Sequence, residues 1–306
     1  FELFRSHVAI VTNADWDHVD YYPNFNSVLE AYERFLGNRE PEGTAIVCGE
    51  DRGLSTLLHN RINGEHQTYG WGSRWDWGAQ DVRHNRGGGV CYTLSRGGTP
   101  ILEISLQISG EHNVLNSLAA CAAADAIGVP LEAASQALKS FKGAKRRLQH
   151  MGSVPAIGVD IFDDYGHHPR EIAATLGTLR KMFPGRRLMT VFQPHRFTRT
   201  AAMYREFAEV LSLSDGVFLL PVFPADELPI EGVSSTLIGD ILKQKGHRGF
   251  DFCSDMEDVL TKVSANVNEG DVIATIGAGD VSIVGEKIQQ RLQGKGVTID
   301  AMAVKA

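Results

Sequence analysis

An α/β fold in two parts is the fold class that the sequence predicts, and three features indicate it. In the second half of the chain, short apolar runs alternate with helical patterns, as in a parallel sheet covered by helices on both faces. In the first half, Val8–Thr12 and Thr44–Cys48 are short β-branched runs typical of buried strands. The basic segment Lys142–Arg147 lies between the halves. We therefore predict one domain over residues 1–143 and another over residues 144–306.

The first half combines strand-like and helical patterns. Two stretches with apolar residues at helical spacing stop at Gly37 and Gly128, and glycine commonly ends a helix. Residues 63–110 are instead rich in Gly, His and Trp, with strand-like runs that predict hairpins. The predicted elements are strand Val8–Thr12, helix Ser27–Leu36, strand Thr44–Cys48, hairpin strands Val90–Leu94 and Ile101–Leu106, helix His112–Ile127 and helix Leu131–Phe141.

The second half has a regular rhythm of strands and helices. Its predicted elements are strand Gly158–Phe162, a helix from Pro169, strand Leu188–Phe192, a helix from Ala201, strand Val217–Pro221, helix Thr236–Lys245, helix Asp255–Val267, strand Val272–Ile276 and a helix from Val281. Ligands of such sheets bind at the carboxyl ends of the strands. The loops expected to carry function are therefore 163–169, 193–200, 221–232 and 277–280.

Composition and charge exclude several classes of protein. Apolar residues make up 43% of the 306 residues and charged residues 22%, which excludes global disorder. No stretch of about 18 apolar residues occurs, so no transmembrane helix is predicted. The 30 Lys and Arg against 37 Asp and Glu give a net charge of −7, which disfavours nucleic acid and membrane surfaces as partners. Four cysteines without a CxxC pair argue against a disulfide framework and indicate a reducing compartment.

Two polar motifs in the first half are candidate sites. Asn13–Asp20 (NADWDHVD) follows a predicted strand and places acidic residues and His18 in one loop. Carboxylates and a neutral imidazole suit a divalent cation, but a solvated acidic turn explains the motif equally well. His112 and Asn116 share one face of the next helix and could read the edge of a heterocycle, whereas capping by Asn113 is the simpler explanation.

Two motifs in the second half are stronger candidates. Asp163–Glu171 (DDYGHHPRE) places two carboxylates, a tyrosine and two histidines at a strand end, where Pro169 opens a helix whose N-terminus favours anions. Phe192–Thr200 (FQPHRFTRT) places His195, Arg196 and Arg199 at the end of the next strand, and arginines bind carboxylates or phosphates with two hydrogen bonds. Because the two strands are consecutive, we expect these loops to face each other.

The glycine-rich segments indicate less. Gly277–Gly285 (GAGDVSIVG) lies between a strand and a helix but is not a GxGxxG fingerprint, and a tight turn explains it equally well. No GxxxxGK[ST] pattern occurs, so the chain has no Walker phosphate loop of its own.

Taken together, these motifs resemble those of the Mur ligases of bacterial peptidoglycan synthesis, and in particular the branch that adds L-alanine. The matching segments are TNADWDHVD (Thr12–Asp20), GEHNVLNSLAA (Gly110–Ala120), KRRL (Lys145–Leu148), DDYGHHPREI (Asp163–Ile172), FQPHRFTRT (Phe192–Thr200) and GAGD (Gly277–Asp280). They occur in family order. Two small departures are Phe197, where tyrosine is common, and Arg170, where a small polar residue is usual.

The resemblance implies an architecture. Residues 1–143 look like the later part of the family's ATP-binding central domain, and residues 144–306 look like its Rossmann-like, doubly wound C-terminal domain. The family's uridine-binding domain and phosphate loop would lie upstream of Phe1. We therefore expect the complete protein to contain an N-terminal segment that this sequence lacks.

The resemblance also implies an activity. An enzyme of this branch uses ATP and Mg²⁺ to phosphorylate the muramoyl carboxylate of UDP-N-acetylmuramate, and the amine of L-alanine then attacks the acyl phosphate. It would act in the cytoplasm, in cell wall biogenesis, and hence in cell shape and cell division.

By the same resemblance, individual residues match the family's functional positions. The histidine that matches the metal ligand is His18. The matches to ATP contacts are His112, Asn113, Asn116, Arg147, Asp164 and Tyr165. His167, Arg196 and Arg199 match the catalytic loops, and together with His195 they match the loops that receive the muramoyl carboxylate and the incoming alanine.

Other classes of function remain open at this point. The chain could be a noncatalytic or truncated nucleotide-binding module of the same family, inactive without an upstream phosphate loop. A metal-dependent hydrolase built on His18, His167 and His168 is disfavoured because these histidines fall in different predicted domains. A nicotinamide oxidoreductase is disfavoured because GAGD occurs in the last strand–helix unit and not in the first.

Overall fold

The computed structural model describes residues 1–60, 66–85 and 89–303. The chain folds as two compact units, Phe1–Lys142 and Gly143–Ala306, each with its own sheet and core. Within the described residues, no helix is both long enough and apolar enough to cross a membrane.

The first unit contains a six-stranded mixed sheet in the order β1-β2-β3-β4-β5-β6. Its strands are β1 (Val8–Val11), β2 (Thr44–Cys48), β3 (His66–Trp71), β4 (Trp77–His84), β5 (Val90–Arg96) and β6 (Thr99–Leu106). Its helices are α1 (Phe25–Gly37), α2 (Arg52–Asn60), α3 (Glu111–Ala126) and α4 (Leu131–Ser140). Strand β2, which is largely buried, and the Ala-rich helix α3 confirm the sequence prediction. Strand β1 forms where predicted but is not buried throughout, because it lies at the edge of the sheet and exposes Ile10.

Only part of the hairpin prediction for residues 63–110 is confirmed over 66–85 and 89–110, and residues 63–65 and 86–88 lie outside the described residues. Strands β4, β5 and β6 are antiparallel neighbours, but β3 and β4 pair in parallel, with Tyr69 opposite Trp77 and Trp71 opposite Ala79. Strands β3 and β4 pair over only three residues each, so the loop 72–76 has to span only a short distance to bring the chain back to the start of the parallel pairing. The Asp76 carboxylate fixes this loop, because it accepts hydrogen bonds from the Thr68 backbone N–H and hydroxyl, both at 2.7 Å.

Helix α2 was not predicted, although it has a recognisable start. Asp51 is buried, and its Oδ1 accepts the backbone N–H groups of Leu54 at 3.0 Å and of Ala14 at 3.3 Å. The carboxylate therefore caps α2 and at the same time ties down the loop that follows β1. An aspartate followed by leucines at helical spacing was the available signal.

The second unit contains a six-stranded sheet in the order β11-β10-β9-β12-β8-β7. Its strands are β7 (Gln149–Val154), β8 (Val159–Asp164), β9 (Leu188–Phe192), β10 (Gly216–Leu219), β11 (Phe250–Phe252) and β12 (Val272–Ile276). Its helices are α5 (Pro169–Met182), α6 (Phe197–Leu211), α7 (Thr236–Gln244), α8 (Met256–Asn266) and α9 (Val281–Ala303), with a short 3₁₀ turn at Pro155–Ile157. The edge strand β7 is antiparallel to β8, and the other pairs are parallel.

The nearly continuous apolar sequences of β9 and β12 explain the centre of this sheet. Every residue of β9 and of β12 is buried, as expected for strands covered by helices on both faces. The strand–helix alternation predicted for this half is confirmed, whereas the edge strands β7 and β11 were not predicted. Their sequences, QHMGSV and FDF, are too polar or too short to stand out.

Helix α6 begins earlier than predicted. We expected it to start at Ala201, but it starts at Phe197 and has a non-helical residue inside it at Met203. The carbonyl oxygen of Arg196 already accepts the Thr200 backbone N–H at 3.1 Å. Arg199 therefore lies in the first turn of a helix and not in a loop.

Candidate active site

The loops after β8, β9 and β12 meet at one edge of the second sheet. Strand β12 lies between β8 and β9, so the strand order reverses here, and ligands of open α/β sheets bind at such a point. We expected the loops after β8 and β9 to face each other as loops of neighbouring strands. That premise is wrong, yet the rings of His167 and His195 lie 5.8 Å apart, because side chains bridge the end of β12.

An ion pair between a buried aspartate and a partly exposed arginine joins the start of the second unit to this edge. Arg146 Nε donates to Asp163 Oδ2 at 3.0 Å, and the Asp163 side chain is only 2% exposed. Arg146 Nη2 also donates to the Gly277 carbonyl oxygen at 2.6 Å. The second oxygen of Asp163 accepts the Thr275 hydroxyl at 2.7 Å. The pair therefore connects residue 146 with the ends of both β8 and β12.

Asp164 is engaged by the backbone on both sides of the loop. Its carboxylate accepts the N–H groups of Leu148 and Gly166, both at 2.7 Å. Burial nevertheless raises the pKa of Asp164, because desolvation outweighs these hydrogen bonds. Next to it, two guanidinium groups lie over the Tyr165 ring, with Arg146 at 5.0 Å and Arg147 at 5.7 Å from the ring centroid. Asp164, Tyr165 and Arg147 therefore form one cluster.

His168 has a structural role that the motif did not reveal. It is the N-cap of α5, and its Nδ1 accepts the Arg170 backbone N–H at 3.3 Å. Glu171 completes the capping box, since its Oε2 accepts the N–H groups of His167 and His168 at 3.0 and 3.1 Å. Burial alone would raise the pKa of Glu171, but the His167 N–H and then the charges of His167 and Arg147 outweigh it, and the pKa is lowered.

His195 is held between an aromatic ring and an arginine. Its ring stacks on Phe223 at 5.6 Å with an angle of 8° between the planes. Arg199 is 4% exposed, and its Nη1 lies 3.3 Å from His195 Nδ1 and 3.3 Å from the His195 carbonyl oxygen. Burial, followed by the nearby charge of Arg199, lowers the pKa of His195 to about 4. His195 is therefore neutral at physiological pH.

Two residues of the loop after β10 complete this side and were not predicted individually. Phe223 donates its N–H to the Pro194 carbonyl oxygen at 2.8 Å and accepts the Arg196 N–H at 2.8 Å. Glu227 accepts the Thr198 backbone N–H at 3.0 Å and lies 3.7 Å from Arg196 Nη1. The position of loop 221–232 after a strand predicts a functional loop, but the sequence alone does not single out these two side chains.

The GAGD turn at the end of β12 is a close-packed turn. A Cβ on Gly279 would lie 2.5 Å from Gln193 Oε1 and 2.7 Å from Phe223 Cγ, so only glycine fits without displacing them. Gln193 Oε1 accepts the Val281 N–H at 3.0 Å. Gln193 therefore links the end of β9 to the start of α9.

In the first unit, His18 lies in the loop after β1. It is exposed, has a positive φ of 50°, and its N–H donates to the Asp17 carboxylate at 2.7 Å. Across the described ranges, no group of three His, Cys, Asp or Glu side chains is arranged to hold a metal ion. His18 thus fits only a site in which other groups complete the coordination, and Mg²⁺ commonly binds in this way through substrate phosphates and water.

The second motif of the first unit lies at the start of α3. His112 is half-buried and Asn116 is exposed, one turn apart on the helix. The N-cap of α3 is Gly110, which has no side chain to cap it, and Asn113 instead donates its amide to the Ser109 carbonyl oxygen at 2.6 Å. The capping explanation for Asn113 is therefore wrong.

The eleven candidate residues divide between the two units. Seven lie at the carboxyl edge of the second sheet: Arg147, Asp164, Tyr165, His167, His195, Arg196 and Arg199. The other four lie in the first unit: His18, His112, Asn113 and Asn116. The edge of the second sheet can bind anionic groups through its arginines and can exchange protons through its histidines.

Comparisons with known proteins agree with this arrangement. The Mur ligase middle domain matches residues 2–124, and the domain described as "Mur ligase, glutamate ligase domain" matches residues 146–279. The chain belongs to the Mur ligase family. Both of its units thus have a counterpart in one family, in the same order along the chain.

Individual Mur ligases extend the match. The UDP-N-acetylmuramate–L-alanine ligase of Syntrophobacter fumaroxidans is 36% identical over 296 residues, which are 97% of this chain and 62% of that protein. The crystal structure of the UDP-N-acetylmuramate–alanine ligase of Thermotoga maritima superposes with a TM-score of 0.75 at 27% identity, covering 96% of this chain and 61% of that one. A MurF ligase of the same organism in complex with ADP has a TM-score of 0.73 at 18% identity, covering 95% and 63%. The chain thus spans under two thirds of these relatives.

Proposed function

We propose that the chain takes part in the ATP-dependent joining of L-alanine to the muramoyl carboxylate of UDP-N-acetylmuramate, through an acyl phosphate, in peptidoglycan precursor synthesis. The observation that supports this most is the cluster of His167, His195, Arg196 and Arg199 at the switch point of the second sheet, in the two motifs typical of the alanine-adding branch. The proposed place of action is the cytoplasm, in cell wall biogenesis and hence in cell shape and cell division.

The proposed domain assignment follows the two units. Residues 1–143 would be the later part of the ATP-binding central domain, and residues 144–306 the Rossmann-like ligase domain. The family matches over 2–124 and 146–279 support this division. Because the sequence contains no GxxxxGK[ST] pattern, the phosphate-cradling amides of such a loop are not part of this assignment.

The proposed nucleotide contacts are His112, Asn113 and Asn116 in the first unit, and Arg147, Asp164 and Tyr165 in the second. The Arg147–Glu171 ion pair, at 3.0 Å, holds the Arg147 guanidinium near the Tyr165 ring. Mg²⁺, with His18 as one ligand, would supply charge neutralisation on the phosphates. Phosphoryl transfer needs positioning and such neutralisation more than covalent help from the protein.

The proposed work of the arginines is electrostatic. Arg196 and Arg199 would bind the carboxylate groups and stabilise the negative charge of the acyl phosphate and of the tetrahedral intermediate. Arg199 suits this task because it is buried, where a fixed charge acts through a low dielectric. Arg196 has a positive φ of 72°, and its backbone N–H donates a hydrogen bond to the Phe223 carbonyl oxygen in the loop after β10.

The test is phosphate release from ATP by this polypeptide extended by a Mur ligase segment that carries the GxxxxGK[ST] phosphate loop, with UDP-N-acetylmuramate present, with and without L-alanine. We expect release that requires L-alanine, with a product heavier by one alanyl residue in mass spectrometry. Phosphate release at the same rate with and without L-alanine would contradict the proposal. No phosphate release with or without L-alanine, together with retained ATP binding, would favour a noncatalytic nucleotide-binding module instead.

A further inference from the structure

The rings of the two histidines of the candidate site have centroids 5.8 Å apart and are tilted by 47°. Each ring has one nitrogen within hydrogen-bond distance of a group with a fixed hydrogen-bonding role. A carbonyl oxygen only accepts hydrogen bonds, and an arginine guanidinium only donates them. The partner of a ring nitrogen therefore determines which nitrogen of a neutral imidazole carries the proton.

His167 is bonded to a carbonyl. Its Nδ1 lies 3.1 Å from the Tyr165 carbonyl oxygen, so Nδ1 must donate and carries the proton. Glu171 Oε2, at 3.7 Å from the same nitrogen, favours a proton there as well. In the neutral ring the lone pair is then on Nε2, which makes Nε2 the basic atom.

His195 is bonded to a guanidinium. Because Arg199 Nη1 can only donate, His195 Nδ1, at 3.3 Å, must accept, and the proton of the neutral ring is on Nε2. Stacking on Phe223 fixes the plane of the ring. The charged and titratable groups around His195 are Arg199, Arg196, His167 and Glu227, and only Glu227 favours a second proton.

We propose that His167 and His195 form an acceptor–donor pair of fixed and opposite tautomers, in which His167 Nε2 accepts a proton and His195 Nε2–H donates a hydrogen bond. Arg199 is the positioning residue for His195, and the Tyr165 carbonyl is the positioning group for His167. This inference rests on the proposed function for its chemical use but not for its geometry.

In the ligase reaction His167 acts on the attacking nitrogen and His195 acts on the oxyanion. The α-ammonium group of L-alanine gives one proton to His167 Nε2, and the freed lone pair forms the C–N bond to the acyl carbon. His195 Nε2–H stabilises the resulting oxyanion. Collapse breaks the C–O bond to phosphate, the departing phosphate takes the second proton from nitrogen, and His167 returns its proton to solvent.

The first experiment is NMR of the chain with ¹⁵N-labelled histidine, which needs no turnover. Signals are assigned from the His167→Gln and His195→Gln variants, with His150→Gln on β7 as the matched control. We expect His167 protonated on Nδ1 and His195 protonated on Nε2, with His195 staying neutral from pH 8 to pH 5. In Arg199→Met, the His195 titration should move up towards the ordinary histidine range. The same tautomer on both rings, or a His195 that titrates near pH 6.5 in the unmodified chain, would overturn the pair.

The second experiment separates the base from the rest of the site. His167→Gln should lower L-alanine-dependent turnover by about 10²- to 10⁴-fold, the usual contribution of a general base. Hydroxylamine, which is already unprotonated at pH 7.5, should still trap the acyl phosphate at a nearly unchanged rate. A His167→Gln rate with L-alanine within threefold of the original would refute the base, and loss of trapping as well would place His167 in the phosphorylation step instead. A chain that is supplied with a GxxxxGK[ST] phosphate loop and still shows no turnover with either nucleophile refutes the proposed function, while the NMR result still decides the tautomers.

Discussion

Replacing Asp163 by alanine should destabilise the second unit selectively. Asp163 is 2% exposed at its side chain and accepts hydrogen bonds from Arg146 Nε at 3.0 Å and from the Thr275 hydroxyl at 2.7 Å. Its removal leaves the Arg146 guanidinium without its carboxylate, and the fully buried Thr275 with only a 3.3 Å bond to the Phe162 carbonyl oxygen. Both consequences lie at the ends of β8 and β12.

The magnitude follows from the exposure of the partners. Removing one member of a fully buried ion pair costs about 3–5 kcal/mol. Arg146 is 26% exposed and keeps its bond to the Gly277 carbonyl oxygen, so water offsets part of the loss and about 2 kcal/mol remains. The weakened hydrogen bonding of the Thr275 hydroxyl adds about 1 kcal/mol. We therefore expect a loss of about 3 kcal/mol in the free energy of unfolding.

The chain offers a built-in assay that tells the units apart. All four tryptophans, Trp16, Trp71, Trp75 and Trp77, lie in the first unit, so tryptophan fluorescence in urea reports on that unit, whereas far-UV circular dichroism reports on both. Asp163→Ala should shift the dichroism transition to lower urea. Asp240→Asn, an exposed aspartate on α7, is the control and should stay within about 0.5 kcal/mol. A loss below about 1 kcal/mol for Asp163→Ala would refute the reasoning.

Three other predictions concern the packing of the GAGD turn, the edge of the second sheet at the amino ends of its strands (the amino edge), and the dependence of stability on pH. Gly279→Ala should destabilise by about 1–3 kcal/mol in thermal unfolding, because its Cβ would overlap Gln193 and Phe223, whereas Gly177→Ala on α5, which meets no atom within 4 Å, should stabilise by about 0.5–1 kcal/mol. Arg186→Lys should lower the free energy of unfolding in urea by about 2 kcal/mol, because an ammonium group cannot reproduce the guanidinium hydrogen bonds to Asp160 and to three carbonyl oxygens. An unchanged free energy of unfolding would show that these hydrogen bonds do not stabilise the fold. The lowered pKa of His195 means that the unfolded chain binds a proton below pH 6.5 that the folded chain refuses until about pH 4. Stability should therefore fall as pH drops through that window, and His195→Gln should remove this part of the pH dependence in urea titrations at several pH values.

The sequence predicted the parts of the fold that burial dictates. Strands β9 and β12 are apolar apart from one threonine each because helices cover both faces, and this pattern is visible without a structure. Strand order is not visible in the same way, since the sequence does not show that β12 pairs between β8 and β9. For that reason we expected the loops after β8 and β9 to face each other on the wrong premise that β8 and β9 are neighbours in the sheet.

The candidate site shows the same limit at the level of side chains. His167, His195 and Arg199 stand out because polar residues at a strand end need a reason to be there. Phe223 and Glu227 do not stand out, since an aromatic residue or a glutamate in a loop is ordinary. Their importance comes from contacts across the sheet edge, with His195 stacked on Phe223 and with Glu227 near Arg196. His168 shows the converse, because a motif residue turned out to be a helix cap.

Backbone strain independently supports the proposal that the functional site lies at the carboxyl edge of the second sheet. Arg146, Leu148 and Arg196 all have positive φ, at 58°, 46° and 72°, and none of them is glycine. Such conformations persist only where surrounding contacts enforce them, and they cluster at functional sites. Here the contacts are known, because Asp163 holds Arg146, Asp164 holds Leu148, and the loop after β10 holds Arg196. At the amino edge, by contrast, Arg186 binds main-chain oxygens without such strain, as expected for a group that only stabilises the fold.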